Sequence, residues 1–185
     1  MDKRENRLVD IVLQGNGRAF EELVNPYRKS LLTLAFRLTR NEEDAKEMVQ
    51  ESLMRAFQHL EQFDHQKSFR NWLLQILVNA TRKFTARTQP HDELTPAMAV
   101  VDDREIINNL STWELRSRLM DSLGVLSNRE RSVFLLRDIE DRDSQETARI
   151  LHCSSISVRV HLSSARKKIS KEMIRRFPNM LRGIQ

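Results

Sequence analysis

Cysteine is nearly absent from this chain of 185 residues. Cys153 is the only one, which rules out an internal disulfide and a thiolate zinc site. Glycine and proline are scarce, four of each, and β-branched alternation is almost lacking, so helix is the expected state throughout. No apolar run approaches the roughly 20 residues that a membrane helix needs, and no apolar leader opens the sequence. A cytoplasmic protein without membrane insertion is expected, dependent on another protein for any signal from outside the cell. Also missing are a glycine-rich phosphate loop, a nucleophile elbow and a His/Glu zinc helix. No enzyme, catalytic residue, cofactor or metal is therefore expected. His152, Cys153 and His161 offer at most three ligands across a turn. Cys153 reads as a small apolar plug, and His59 and His65 as solvated.

What is present is charge. Lys and Arg number 31 against 26 Asp and Glu, a net of +5, which favours a polyanionic partner. Residues 1–90 carry 15 basic and 12 acidic side chains, and residues 114–185 carry 15 and 9. Between them, residues 91–113 hold one arginine and five acids. Two basic blocks thus flank an acidic connector.

Helical periodicity runs from Arg18 to Thr39 through Phe20, Leu23, Leu31, Leu32, Leu34, Ala35 and Leu38, with a restart at Asn25-Pro26. Asn41 opens the next helix, whose stripe is Ala45, Met48, Val49, Leu53, Met54, Ala56, Phe57 and Leu60. Its first-turn acids suit the helix dipole. Its outer face is acidic and amide-rich (Asp44, Glu47, Gln50, Glu51), as befits a protein partner. After a polar loop, Ser68 is a plausible cap for a third helix packed through Phe69, Trp72, Leu73, Ile76, Ala80 and Phe84. That helix runs into Arg82, Lys83 and Arg87. Periodicity then lapses from Thr88 to Thr112, a stretch with Pro90 and Pro96 that reads as a partly disordered tether.

Order returns with a helix on Leu115, Leu119, Met120 and Leu123. Ser127-Asn-Arg-Glu130 and Asp143-Ser-Gln-Glu146 both have capping-box spacing. The second box opens a short helix, and His152, Cys153 and Ser154 separate it from a last helix that begins near Ser155. This is the pattern of a helix-turn-helix, whose second helix lies in the major groove. Val158, Leu162, Ala165, Ile169 and Met173 form its inward stripe. At about 100° per residue, Val160, Ser164, Lys167 and Lys171 point away, flanked by Arg159 and Ser163. Arg159 is the candidate for guanine, Ser163 and Ser164 for several base edges, and Val160 for a thymine methyl. Ser155 and Ser157 stand near the helix start, where they can donate to phosphate. Arg166 and Lys167 extend the basic face.

The ordered stretches AFEELVNPYRKSLLTLAFRLTRNEEDAKEMVQESLMRAF (Ala19–Phe57), SFRNWLLQILVNATRKF (Ser68–Phe84) and LSNRERSVFLLRDIEDRDSQETARILHCSSISVRVHLSSARKKI (Leu126–Ile169) resemble bacterial RNA polymerase sigma factors. The resemblance is to the small extracytoplasmic-function type with only the second and fourth sigma domains. It implies an all-α fold of two small helical domains joined by a flexible acidic linker. The expected bounds are 1–87 for sigma domain 2, 88–112 for the linker and 113–185 for sigma domain 4.

The resemblance also implies roles. Asp44, Glu47, Gln50, Glu51 and Met54 would dock on core polymerase. The loop with Phe63, Asp64, His65 and Lys67 would capture a flipped base of the −10 element, and Asn79, Arg82 and Lys83 would meet −10 DNA. Ser155, Ser157, Arg159, Val160, Ser163, Ser164, Arg166 and Lys167 would read the −35 element. Core RNA polymerase, promoter DNA and an anti-sigma factor are the implied partners, with one copy of the chain in the holoenzyme. Three departures stand out, the first being that His161, Ser163 and Ser164 stand where a basic or aromatic residue is common. Ile156-Ser157 replaces a frequent Gly-Thr before the reading helix, and Gln75 and Val78 replace frequently basic positions in the third helix. A stand-alone helix-turn-helix activator and a sigma mimic that sequesters an anti-sigma factor are the rival readings. The first leaves the acidic face of Asp44–Glu51 unexplained, and the basic last helix argues against the second.

Overall fold

A computed structural model describes residues 3–88 and 118–178 of the chain, and all its regular elements among these are helices. The chain divides into two compact units, Met1–Pro90 and His91–Gln185. Apart from Thr88, the expected tether lies outside the described residues, as do Trp113 and Leu115.

In the first unit α1 (Lys3–Leu13) and α2 (Arg18–Val24) lead through a 3-10 turn at Asn25–Tyr27 into α3 (Arg28–Thr39). Pro26 explains the break. Proline lacks an N–H and is tolerated only in the first turn of a helix. At the end of α3, Arg40 adopts a left-handed conformation (φ 63°) and its N–H bonds to the Phe36 carbonyl at 2.7 Å. The chain then turns into α4 (Glu42–Gln58). The Asn41 side chain caps it by accepting from the N–H groups of Glu43 and Asp44 at 2.9 and 3.1 Å. A short 3-10 turn at Leu60–Gln62 and a polar loop precede α5 (Phe69–Thr88). Ser68 Oγ accepts from Asn71 N–H at 3.3 Å, the cap expected from the sequence.

The core of this unit is continuous. Leu23, Leu31, Leu34, Ala35, Ala45, Ala56, Leu60, Phe69, Leu73 and Leu77 are all nearly inaccessible. Because α5 packs against both α3 and α4, its buried arc is wider than the sequence suggests and turned from it. Leu74 and Val78 are buried, whereas Trp72, Ile76 and Phe84 remain partly exposed. The substitution at Val78 is therefore a core feature and not a lost surface contact. Sequence periodicity also missed α1. Only Val9 and Val12 on that helix are buried, too short a stripe to announce it.

In the second unit residues 118–122 are helical and a 3-10 turn follows at Leu123–Val125. Next come α6 (Asn128–Phe134), α7 (Ser144–Leu151) and α8 (Ser155–Arg176). Both sequence-read capping boxes are present with both of their reciprocal bonds. Beyond Phe134 the helix widens into a π turn over Leu135–Ile139. Such a turn inserts one residue per cycle, and it carries Asp138 outward while Leu135 and Leu136 stay buried. α7 ends on left-handed His152 (φ 50°), and the Ser154 hydroxyl starts α8 by accepting from Ser157 N–H at 3.1 Å.

One carboxylate joins these helices. Glu130, 5% exposed, closes its own capping box by accepting from Ser127 N–H at 2.9 Å. It also accepts from the Ser164 hydroxyl at 2.6 Å and the Lys168 ammonium at 2.8 Å, both on α8. Burial alone, the largest single influence, would raise its pKa. The bonds from Lys168, Ser164 and Ser127 outweigh burial and hold the group at about 2, below its ordinary 4.5. Arg131, also buried, reaches back to the carbonyls of Leu123 and Leu126 at 3.4 and 3.2 Å and fixes the entry turn.

Because Glu130 is depressed on folding, its contribution is complete above about pH 4.5 and is lost as pH falls towards 2. Glu130→Gln is expected to lower stability at neutral pH by on the order of 2–3 kcal/mol. It should also flatten the acid limb of a urea-midpoint profile between pH 5 and about 2. An unchanged acid limb would remove Glu130 from this role.

Candidate nucleic-acid interface

The outer face of α8 is built by the inner one. Val158, Leu162, Ala165 and Ile169 are buried, so residues about 180° away must face solvent. Arg159, Val160, Ser163, Lys167 and Lys171 are exposed as the sequence implies. Ser155 and Ser157 are half-buried in the first turn, and the Ser157 hydroxyl lies 3.1 Å from that of Ser154. Two members of the predicted reading set are engaged with other helical elements. Ser164 turns towards α6 and gives its hydroxyl to Glu130, so it anchors the helix and does not point outward. Arg166 forms a two-pronged pair with Asp138 of the π turn, at 2.8 and 2.6 Å. Such paired donors match carboxylate and phosphate alike.

In the first unit the loop before α5 is folded upon itself. Asp64 accepts from Gln66 N–H at 2.9 Å and pairs with the Lys67 ammonium at 3.1 Å, and these contacts lower its pKa. Phe63 was expected at the DNA surface but is 5% exposed. Its ring packs on Phe69, Trp72 and His65 at centroid distances of 5.3, 5.4 and 5.7 Å. An aromatic ring between hydrophilic neighbours buries itself, and here it supports the loop from beneath. His65 lies at the edge of this ring cluster with its imidazole 38% exposed. Its carbonyl accepts from Asn6 Nδ2 at 3.2 Å, and its Nε2 lies 3.8 Å from Asp10. α1 therefore braces this loop, a role invisible in the sequence because the partners lie 59 residues apart.

On α5 the side chains of Trp72, Ile76, Asn79 and Lys83 recur at helical spacing and share one stripe, with Arg82 beside it. Lys83 is exposed, while Asn79 and Arg82 are half-buried. Trp72 reads as core in the sequence, yet it keeps part of its ring at the surface of this stripe. Asn79 stands about 15 Å along α5 from Phe69, so the loop and the Asn79–Lys83 face make a long surface, not a single point.

The third group lies along α4. Glu47, Gln50 and Met54 are exposed on one face, Asp44 is half-buried in the first turn, and Glu51 pairs with Arg55 at 2.6 Å. Met54 and Phe57 are 53% and 47% exposed. With Phe20, Leu32, Val49 and Leu53 they line a groove of about 690 Å³ between α4 and the helices before it. Apolar side chains this open, rimmed by polar ones, mark a surface meant to be covered.

Comparison with known proteins gives these surfaces a common context. Residues 23–90 match the family model for Sigma-70 region 2, and residues 116–169 match that for Sigma-70, region 4. The ECF RNA polymerase sigma-E factor of Haemophilus influenzae is 27% identical, aligned over 91% of this chain and 95% of its own length. A probable RNA polymerase sigma factor, RfaY, of Xanthomonas campestris is 29% identical over 91% of this chain, which spans 44% of that protein's length. Among solved structures, CnrH in complex with the cytosolic domain of CnrY superposes with a TM-score of 0.65 at 25% identity, over 91% of this chain and 96% of the other. The fold is also that of the sigma factor RpoE of Bartonella quintana, at TM-score 0.63 and 20% identity, covering 83% and 96% of the two chains. With both regions matched in order on an all-helical two-unit fold, the chain belongs to the extracytoplasmic-function sigma factors of the sigma-70 family.

Proposed function

We propose that this protein binds core RNA polymerase in the cytoplasm and directs it to promoters with a −35 and a −10 element. The observation that carries this is the outer face of α8. Arg159, Ser163, Lys167 and Lys171 are exposed on one long helix, and Glu130 and Asp138 fix that helix from behind. Arg159 reads guanine through its forked donors, while Lys167 and Lys171 meet phosphates. Ser155 and Ser157 set the register at the helix start. Arg166 reaches phosphate only by leaving Asp138, and Ser164 acts through Glu130.

The −10 region is opened without ATP, which requires a cationic surface and a place for an unstacked base. The loop Asp64–Lys67, supported by Phe63, receives that base, and Asn79, Arg82 and Lys83 follow the strand. Trp72, half-exposed beside them, offers a stacking plane at the duplex edge. Asp44, Glu47, Gln50, Glu51 and Met54 dock on the polymerase, with the apolar groove at Met54 and Phe57 as the desolvated centre of the contact. The bond-forming chemistry belongs to the polymerase. An anti-sigma factor is a further partner: the sigma factor RpoE of Bartonella quintana was solved with the anti-sigma factor NepR, and CnrH with the cytosolic domain of CnrY. It would compete for the same α4 surface.

Run-off transcription on random upstream sequences, using purified core polymerase with and without this protein, tests the proposal. Transcripts that share two upstream elements at fixed spacing are expected; their absence with a folded protein would refute it. Arg159→Ala should weaken −35-dependent initiation by about 1–3 kcal/mol and relax base preference at one position. Unchanged promoter ranking would exclude Arg159 as a reader. Met54→Asp, at an exposed position, should reduce affinity for core polymerase by more than about 1 kcal/mol with little change in thermal stability. Full assembly of that variant would move the docking face elsewhere.

A further inference from the structure

Ile156 and Val160 are the two most exposed large apolar side chains among the described residues, at 65% and 61%. They lie four positions apart on α8, hence on the same face and about 6 Å apart along the axis. Ile156 belongs to the first turn, two residues after the Ser154 cap. Neither takes part in packing α8, whose buried stripe of Val158, Leu162, Ala165 and Ile169 lies on the far side. In the sequence Ile156 reads only as an unusual turn residue; the structure places it within the helix, one turn from Val160.

The surroundings of this pair select its occupant. Arg159, Ser163 and Lys167 adjoin it along the same side of α8, all exposed, with Lys171 about a turn farther on, and no exposed acid interrupts α8 between Ser155 and Lys171. An apolar strip with a cationic rim fits a ligand that carries apolar groups inside an anionic frame. The major groove of DNA is such a ligand, because phosphates flank it and the 5-methyl group of thymine is its apolar feature. The first turns of a groove-bound helix are the ones that touch base edges. We infer that Ile156 and Val160 form a two-point thymine reader, selecting −35 sequences with two thymine methyls placed beside the guanine read by Arg159. A separation of 6 Å corresponds to roughly two steps of a duplex that rises about 3.4 Å per base pair. The two thymines therefore lie within two steps of each other, on one strand or across both. This rests on the promoter-reading function proposed above and assigns it a base class.

Deoxyuridine supplies the test, since it pairs as thymine does and lacks only the methyl. Holoenzyme binding is measured on the promoter recovered from the random pool, with deoxyuridine replacing each −35 thymine in turn. At two positions a three- to fivefold loss is expected, the size that one buried methyl confers. Ile156→Ala and Val160→Ala should each show a comparable loss on thymine DNA and become insensitive to deoxyuridine at one of those positions. Circular dichroism of the variants should match the parent, because both sites are exposed. Indifference of the parent protein to deoxyuridine would overturn the inference while leaving promoter recognition standing. Equal sensitivity in parent and variants would overturn it too, as would loss of core-polymerase binding by the alanine variants without any methyl effect. A pool that yields no promoter would overturn both this inference and the function beneath it.

Discussion

The second unit depends on a buried carboxylate with three donors. Glu130 closes the cap of its own helix and fastens α8 through Ser164 and Lys168, 34 and 38 positions along the chain. A buried anion is costly unless its lone pairs are occupied. That requirement makes the site selective: α8 satisfies it only in one rotation and one axial register. The buried stripe beneath Val158 and Leu162 would tolerate modest sliding; the Glu130 contacts would not. The direction of the exposed cationic face thus follows from an interaction on the hidden side of the helix.

The first unit solves a similar problem with different means. Its loop before α5 contains few apolar residues, so it is given shape by Phe63 beneath, by Asp64 within and by α1 alongside. Glu5 of α1 accepts from Tyr27, and Arg4 pairs with Glu22 at 2.8 Å, which ties α1 to the segment before α3. A helix with only two buried residues earns its position through polar contacts. In the proposed function this loop holds an unstacked base, and it would benefit from being shaped before the base arrives.

Much of this was legible in the sequence where the signal is local. Both capping boxes, the Ser68 cap, the helix start at Asn41, the break at Pro26 and the stripe Val158–Ile169 depend on neighbours within a few positions, and the structure carries each one. The cationic outer face of α8 followed from the same periodicity, and the ordered motifs pointed to the sigma factor family. What escaped was long-range. Ser164 appeared outward by angle alone, and only Glu130, on another helix, explains its inward turn. Phe63 was assigned to the −10 DNA surface by resemblance alone, whereas its neighbours in space are Phe69, Trp72 and His65. Arg166 and Asp138 meet only because a π turn displaces the acid, and no composition signal marks that turn. α1 was missed for a related reason: its apolar stripe is short and its polar partners are remote.

The Arg166–Asp138 pair bears on how this chain meets DNA that is not a promoter. A free arginine that grips a phosphate displaces condensed cations from the duplex, and that release drives sequence-independent adhesion. Asp138 already occupies the fork of Arg166 with an anion of similar shape. Binding a phosphate there exchanges one anion for another and frees little net charge. In the proposed complex the π turn would thereby temper the stickiness of a strongly basic helix, so that random sequence would hold it less firmly.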